Sequence, residues 1–218
     1  LQMGRKRLPL FAYSEVQDVG YAYPWVHLPP QLYGWEIVNY NGVNILYRDQ
    51  WKDWTSTMTL FAGDETKKDA GYWKIYNGKK SQTDVRWSNI IGGDVKISRS
   101  WFEGRALYIQ SKTQNKIVSD EQTEFSLATK QQIYGLSLGA DFGKWFAKTE
   151  LLYIDRKEDY GLDASQLVAL GYRYKNLTPL ISYSKYGQRT HPEVGSAEAH
   201  SVTSYVLRYD FNNSSAIK

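Results

Sequence analysis

The sequence predicts an all-β chain folded as a transmembrane antiparallel up-and-down β-barrel, and three observations carry that expectation. Apolar and polar residues alternate with period 2 along much of the 218 residues. Short turns alternate with longer polar connections, as in a meander whose two rims face different compartments. Aromatic residues, 15% of the chain with 18 Tyr and 8 Trp, gather beside the short turns, where an apolar body with a polar tip suits a lipid–water boundary.

Strand by strand, the first short turn falls near Arg48 to Lys52 and the next at Arg99-Ser100, separated by the polar stretch Gly63 to Thr83. A second long connection, Thr113 to Thr123, leads to the clearest hairpin. There Tyr134, Leu136, Leu138, Ala140 and Phe142 share one face, with Gly135, Ser137, Gly139 and Asp141 opposite. After Gly143-Lys144, Trp145, Ala147, Thr149, Leu151 and Tyr153 resume the apolar face, so Phe142 should pair with Trp145. The long stretch Asp155 to Asp163 follows. Val168, Leu170, Tyr172 and Tyr174 then turn at Lys175-Asn176 into Pro179, Ile181 and Tyr183. Beyond Gln188 to His200, the strand of Thr203, Tyr205, Leu207, Tyr209 and Phe211 turns at Asn212-Asn213. Trp51, Trp54, Trp101, Phe142, Trp145, Tyr172, Tyr209 and Phe211 form the expected aromatic girdle at one height, with Phe102, Phe146 and Tyr174 in the same crowd. Arg105, Lys148, Glu150, Arg173, Arg208 and Asp210 fall opposite the apolar face and are expected to point into a wet lumen, with Asp141 as acidic company.

Composition removes several alternatives. Mean hydropathy is −0.56, and the longest aliphatic run, Leu167 to Gly171, is far short of the roughly 20 residues of a membrane-spanning helix. Apolar residues are scattered in a way that makes a conventional soluble core hard to assemble. No cysteine is present, so disulfide scaffolds and Cys-based metal or redox sites are excluded. The net charge of +4 is too small and dispersed to argue for nucleic acid. His27, His191 and His200 have no metal-binding spacing, and no nucleophile elbow, P-loop or dinucleotide fingerprint occurs. His200 and Ser201 are adjacent and would point to opposite faces of a strand. No enzyme, metal or cofactor is expected. The sequons at Asn176 and Asn213 fall in short turns. The first residues, Leu1 to Leu8, lack a signal-peptide core, and Ser214 to Lys218 reads as a strand beginning. The chain is therefore expected to be one part of a single barrel domain, residues 1–218, lacking amino-terminal strands and the final strand.

Met3-Gly4-Arg5-Lys6-Arg7-Leu8-Pro9, Asp18-Val19-Gly20-Tyr21-Ala22-Tyr23-Pro24-Trp25-Val26 and Tyr40-Asn41-Gly42-Val43-Asn44-Ile45-Leu46-Tyr47 resemble the Gram-negative trimeric porins, particularly their general-porin branch. Gly171-Tyr172-Arg173-Tyr174 with Thr178-Pro179, and Leu207-Arg208-Tyr209-Asp210-Phe211, resemble the later strands of that family. The resemblance spans nearly the whole chain through the order and spacing of moderately specific motifs. It implies a sixteen-stranded barrel of which about eleven strands lie here: Leu1 to Pro9 as the fifth, an inward constriction loop over residues 11–34, then strands six to fourteen and the opening of the fifteenth. On that plan Arg5 and Arg7 on the wall, and Glu15 and Asp18 on the loop, would set the field of the constriction. It further implies a homotrimer of the bacterial outer membrane, in contact with lipid and lipopolysaccharide, passing small hydrophilic solutes and ions by passive diffusion. An open eleven-strand sheet should not form a pore alone.

Other readings stay beside this one. The proline- and aromatic-rich segment Tyr21 to Trp35 reads as a loop packed on the inner wall or as a stacking platform for sugars. Asp64-Glu65, Asp120-Glu121 and Glu158-Asp159 read as solvated loop charges or as sites for divalent cations that bridge lipopolysaccharide. The whole chain also reads, alternatively, as a soluble all-β glycan-binding module with exposed Trp and Tyr.

Overall fold

In a computed structural model, which describes residues 1–74, 79–118, 123–156, 161–189, 198–212 and 215–218, the chain forms a single antiparallel sheet. Its strands are β1 (Gln2–Arg7), β2 (Asn39–Trp51), β3 (Trp54–Lys67), β4 (Gln82–Arg99), β5 (Phe102–Val118), β6 (Thr123–Phe125), β7 (Thr129–Asp141), β8 (Trp145–Arg156), β9 (Gly161–Tyr172), β10 (Leu177–Arg189), β11 (Ala199–Asn212) and β12 (Ser215–Ile217). Eleven of them follow one another as a meander, and β6 pairs with β5 off that path. The all-β, antiparallel, up-and-down expectation is met. Closure is not: β1 and β12 are the two edges of an open sheet.

Chemistry fixes the tight ends. Trp51 faces Trp54 across Lys52-Asp53, and Lys52 takes φ 53 to close that turn. The Phe142 N–H donates to the Trp145 carbonyl at 2.8 Å, as the alternation required. Gly143, at φ 80, supplies the left-handed residue between them. Several expected boundaries move outward because pairing outlasts the apolar pattern. β2 runs through Trp51, so the turn begins at Lys52 rather than Arg48, and the next turn is Ser100-Trp101. The stretch expected as a loop from Gly63 shrinks to 68–81, and the one expected from Thr113 begins only after Val118 and contains β6. The expected long connection between Asp155 and Asp163 is overturned. β8 continues to Arg156 and β9 starts at Gly161, and the two strands are clamped there by the Arg156–Asp163 ion pair at 2.9 Å. Asp120, Glu121, Glu158, Asp159, His191 and Asn213 lie outside the described residues.

Between β1 and β2, residues 8–38 leave the sheet and lie across one of its faces, called the inner face below. This segment contains 3-10 turns at Ser14–Val16 and Gly20–Ala22 and one helical turn, α1 (Pro30–Tyr33). Its entry and exit are tied by the Leu8 N–H to the Val38 carbonyl at 2.9 Å. Leu8, Leu10, Phe11, Trp25, Leu28, Leu32, Tyr33 and Ile37 bury themselves against Ile109, Ile133, Leu152, Ile154, Leu167 and Leu180 of the sheet. A substantial core therefore exists where composition made one seem hard to assemble. Strand alternation supplies one wall and the segment supplies the other. Complete burial of Leu8, Leu32 and Ile37 contributes roughly 1.5–3 kcal/mol each, which outweighs the ~1 kcal/mol of an average hydrogen bond.

The opposite face has no such cover. Val43, Ile45 and Tyr47 on β2, Tyr134, Leu136 and Leu138 on β7, Val168 and Leu170 on β9, and Tyr205 and Leu207 on β11 are all exposed. Among the described residues no helix is long and apolar enough to cross a membrane.

Candidate functional site

The polar groups of the inner face converge on segment 8–38. Glu150, 2% exposed, reaches from β8. Its Oε2 accepts the Ala12 N–H at 2.9 Å and the Ser137 hydroxyl at 3.4 Å, and its Oε1 accepts the Tyr33 hydroxyl at 2.6 Å. Arg105 on β5 donates Nε to Asp94 at 2.9 Å and Nη1 to the Phe11 carbonyl at 3.1 Å. Farther along, the Trp25 indole donates to Ser182 at 2.9 Å, and the Ser184 hydroxyl donates to Gln31 at 2.9 Å. Each bond removes a polar group from the cost of burial without a partner.

At the segment's exit, Glu36 is held by two indoles, Trp73 Nε1 at 2.6 Å and Trp87 Nε1 at 3.2 Å. Trp73 belongs to the 3-10 turn Gly71–Trp73 of the connection 68–81, and Trp35 stacks on its neighbour Tyr72 at 6.3 Å. The segment and that connection are thereby fastened together. Burial pushes the Glu36 carboxyl above the ordinary carboxylate range, opposed by Arg156 and by the two indole N–H groups. Burial likewise raises the Tyr33 phenol, and the Glu150 carboxylate it donates to raises it further. Tyr13 is raised by burial while Lys148 beside it pulls the other way.

Toward the short-turn end, the segment and the wall border a cavity of about 680 Å³ that is open to solvent. Lys148, Arg173, Arg208 and Asp210 line it together with Tyr13, Tyr21 and Phe146. Lys148 Nζ stands 4.1 Å over the Tyr13 ring. Arg173 holds both Asp141 oxygens at 2.8 Å and stands 4.5 Å over Phe146. Arg208 binds Asp210 at 2.7 Å and donates to the Tyr21 and Tyr23 carbonyls at 2.9 and 3.3 Å.

All six residues expected to face a lumen thus lie on the inner face. Several are spent on holding the segment instead of standing in water, and Glu150 is an anchor with almost no exposure. The four residues assigned to a constriction do not act as one group. Arg7 pairs with Asp18, while Arg5 turns to the buried Glu65 at 2.8 Å, and Glu15 is exposed with no ion pair among the described residues. Of Asp64-Glu65, Asp64 is exposed as expected, whereas Glu65 is buried. The two sit at a bulge in β3, with Glu65 also accepting from Asn41 at 3.3 Å. Tyr23, Trp25 and Tyr33 are buried, so Tyr21 to Trp35 is largely packed against the wall, and of its Tyr and Trp rings Tyr21 is the exposed one.

The girdle residues fall on the uncovered face or in its turns. Trp101 stacks on Phe142 at 5.6 Å, Trp145 meets Tyr172 at 4.6 Å, Tyr209 meets Phe211 at 5.0 Å, and Trp54 meets Phe102 at 6.0 Å. Phe146 is the exception in that crowd: it is buried on the inner face, over Gly171, where an added Cβ would lie 2.1 Å from its ring. Sequence reasoning missed Glu36, Trp73, Trp87, Arg156 and Asp163. Arg156 continues the even-numbered inner face of Lys148 and Glu150, a signal that extending the period would have caught. Glu36 sits in a segment with no period at all. No protein-family model, curated protein or solved structure matches the chain.

Proposed function

We propose that this chain is the wall and inward segment of an outer-membrane porin, a water-filled channel for passive diffusion of small hydrophilic solutes and ions. The observation that carries this reading is the distribution of side chains between the two faces. Charged and hydrogen-bonding residues meet on the covered inner face, whereas the uncovered face presents a broad band of Leu, Ile, Val and Tyr. Contiguous exposed apolar patches beyond a few hundred Å² are rare on soluble monomers. Lipid is the environment in which such a band is stable, and the row of Trp, Tyr and Phe beside the short turns suits its boundary with water.

Strand length supports the same conclusion. The nine strands β2–β5 and β7–β11 run from 12 to 18 residues. Globular strands cluster near 5–6 residues, and a tilted strand needs about 9–11 to cross a bilayer. Unpaired edges are not stable in hydrocarbon, so the membrane form requires further strands to join the β1 and β12 edges into a closed barrel. Segment 8–38 would then lie inside the lumen and narrow it, carrying the exposed Glu15 and Asp18, which is salt-bridged to Arg7 of β1. Lipopolysaccharide contact and a trimeric assembly follow from the resemblance to the general porins.

The test is fractionation and conductance of the full-length protein. Detergent-dependent extraction, a heat-modifiable oligomer on gels and stepwise ohmic conductance in planar bilayers are expected. Recovery as a soluble monomer without detergent, above all one that binds glycans, would overturn the reading.

A further inference from the structure

Four rings around the 680 Å³ cavity carry a cation over one face: Tyr13 under Lys148, Phe146 under Arg173, Tyr21 under Arg208 and Tyr23 under Lys218. Their charges are committed differently. Arg173 spends both terminal nitrogens on Asp141 and donates to the Gly143 carbonyl at 2.7 Å. Arg208 is spent on Asp210 and on two backbone carbonyls. Glu103, the remaining acid of the lining, pairs with Lys96 at 2.7 Å. Lys148 has no carboxylate within ion-pair distance among the described residues, and its ammonium stands over the Tyr13 ring. Five basic and three acidic residues line the cavity, a net charge of 5 − 3 = +2.

We propose that this cavity is a subsite for a monovalent organic anion, a carboxylate borne on a planar ring, with Lys148 holding the carboxylate and the exposed Tyr21 ring carrying the body. A phosphate brings close to two charges and three acceptor oxygens and would need several converging donors, whereas among the described residues Lys148 is the cation on the strands of the lining with no acid partner; Lys175, likewise without one, lies in the turn after β9 and stands over the Tyr174 ring. A small aliphatic acid would satisfy Lys148 and leave the apolar wall of Tyr21, Pro24 and Phe102 unused. The volume lies within the 300–1,000 Å³ usual for small-molecule sites. That the subsite serves as a station on a diffusion path rests on the porin reading; its existence does not.

The experiment titrates full-length protein in detergent micelles with benzoate, acetate and inorganic phosphate, following tryptophan fluorescence, and repeats the benzoate titration across planar bilayers. Benzoate is expected to bind with Kd on the order of 1 mM, and acetate and phosphate about tenfold more weakly. Lys148→Met should weaken benzoate about tenfold while Lys148→Arg retains it, and Tyr21→Ala should weaken it about two- to tenfold. Phosphate binding as tightly as benzoate, or an unaltered benzoate affinity in folded Lys148→Met, would overturn the subsite. Should Lys148→Met fail to fold, Tyr21→Ala and the three-anion ranking on the unaltered protein decide. Lys148-dependent binding by a protein that conducts no current sinks the porin reading and leaves the subsite. Conductance without benzoate binding does the reverse.

Discussion

On β7, Ile133 is fully buried while Leu136, three residues along and chemically alike, is 40% exposed. The same contrast runs along the sheet. Glu150 is almost completely buried on the inner face of β8, and Tyr153 on the outer face of that strand is exposed. Hydrophobicity alone does not sort these side chains; facing does. The inner face has a partner, segment 8–38, that supplies both apolar contact and hydrogen-bond donors. The outer face has none among the described residues, and its apolar band is left exposed. A carboxylate indoors and leucines outdoors are reconciled if water and protein lie on one side and lipid on the other.

The contrast breaks most sharply at its buried end. Glu150→Ala leaves the Tyr33 hydroxyl and the Ala12 N–H without their acceptor, at about 1–3 kcal/mol each, so a loss of roughly 2–6 kcal/mol is expected. Unfolding in detergent reports it, and limited proteolysis within residues 8–38 should appear first. A double-mutant cycle with Tyr33→Phe should show coupling. Additive effects would mean that Glu150 does not hold the segment.

Next in size is the outer face. Leu136→Arg, near the middle of β7, should cost about 2–4 kcal/mol when unfolding is measured in a bilayer. An exposed site in water would register within ±0.5 kcal/mol, and that small value would remove lipid from the account of this face.

The smallest effect is read as a slope. The Glu36 carboxyl is raised in the folded state, so the folded chain keeps a proton that the unfolded chain releases near pH 4.3. Stability contributed by the neutral form is present below that pH and is lost as pH rises toward the elevated folded value. Glu36→Gln should flatten that decline in unfolding or in proteolytic exposure of connection 68–81. An unchanged slope would show that another group titrates there.

Much of this architecture could be read along the chain. The hairpin from Tyr134 to Tyr153, the turn at Lys175-Asn176 and the strand through Tyr205 to Phe211 were legible because a strand's faces are set by parity, a purely local property. Arg105, Lys148, Arg173 and Arg208 were placed on the inner face by the same rule. Which acid Arg105 and Arg173 would meet was not legible, because register between strands decides it, whereas Arg208 meets Asp210 two residues along its own strand. The Arg5–Glu65 pair and the two-indole hold on Glu36 join residues 60 and up to 51 positions apart, and no local pattern encodes such contacts. Loop length was also poorly legible at Asp155 to Asp163, where Arg156 and Asp163, which looked like loop residues, are paired on the inner face.

By itself the sequence determined the secondary structure, the meander and the alternation of faces, since these follow from backbone geometry and neighbouring residues. It also excluded Cys chemistry and membrane-spanning helices, since these need residues or runs the chain does not contain. Only the tertiary structure decided how the inward segment is held: that it runs from residue 8 to 38, that its apolar residues form a core with the sheet, and that Glu150 and Glu36 serve as its buried fastenings. Those outcomes depend on long-range burial, where apolar contact and mutual hydrogen bonding outweigh the solvation each polar group would keep alone.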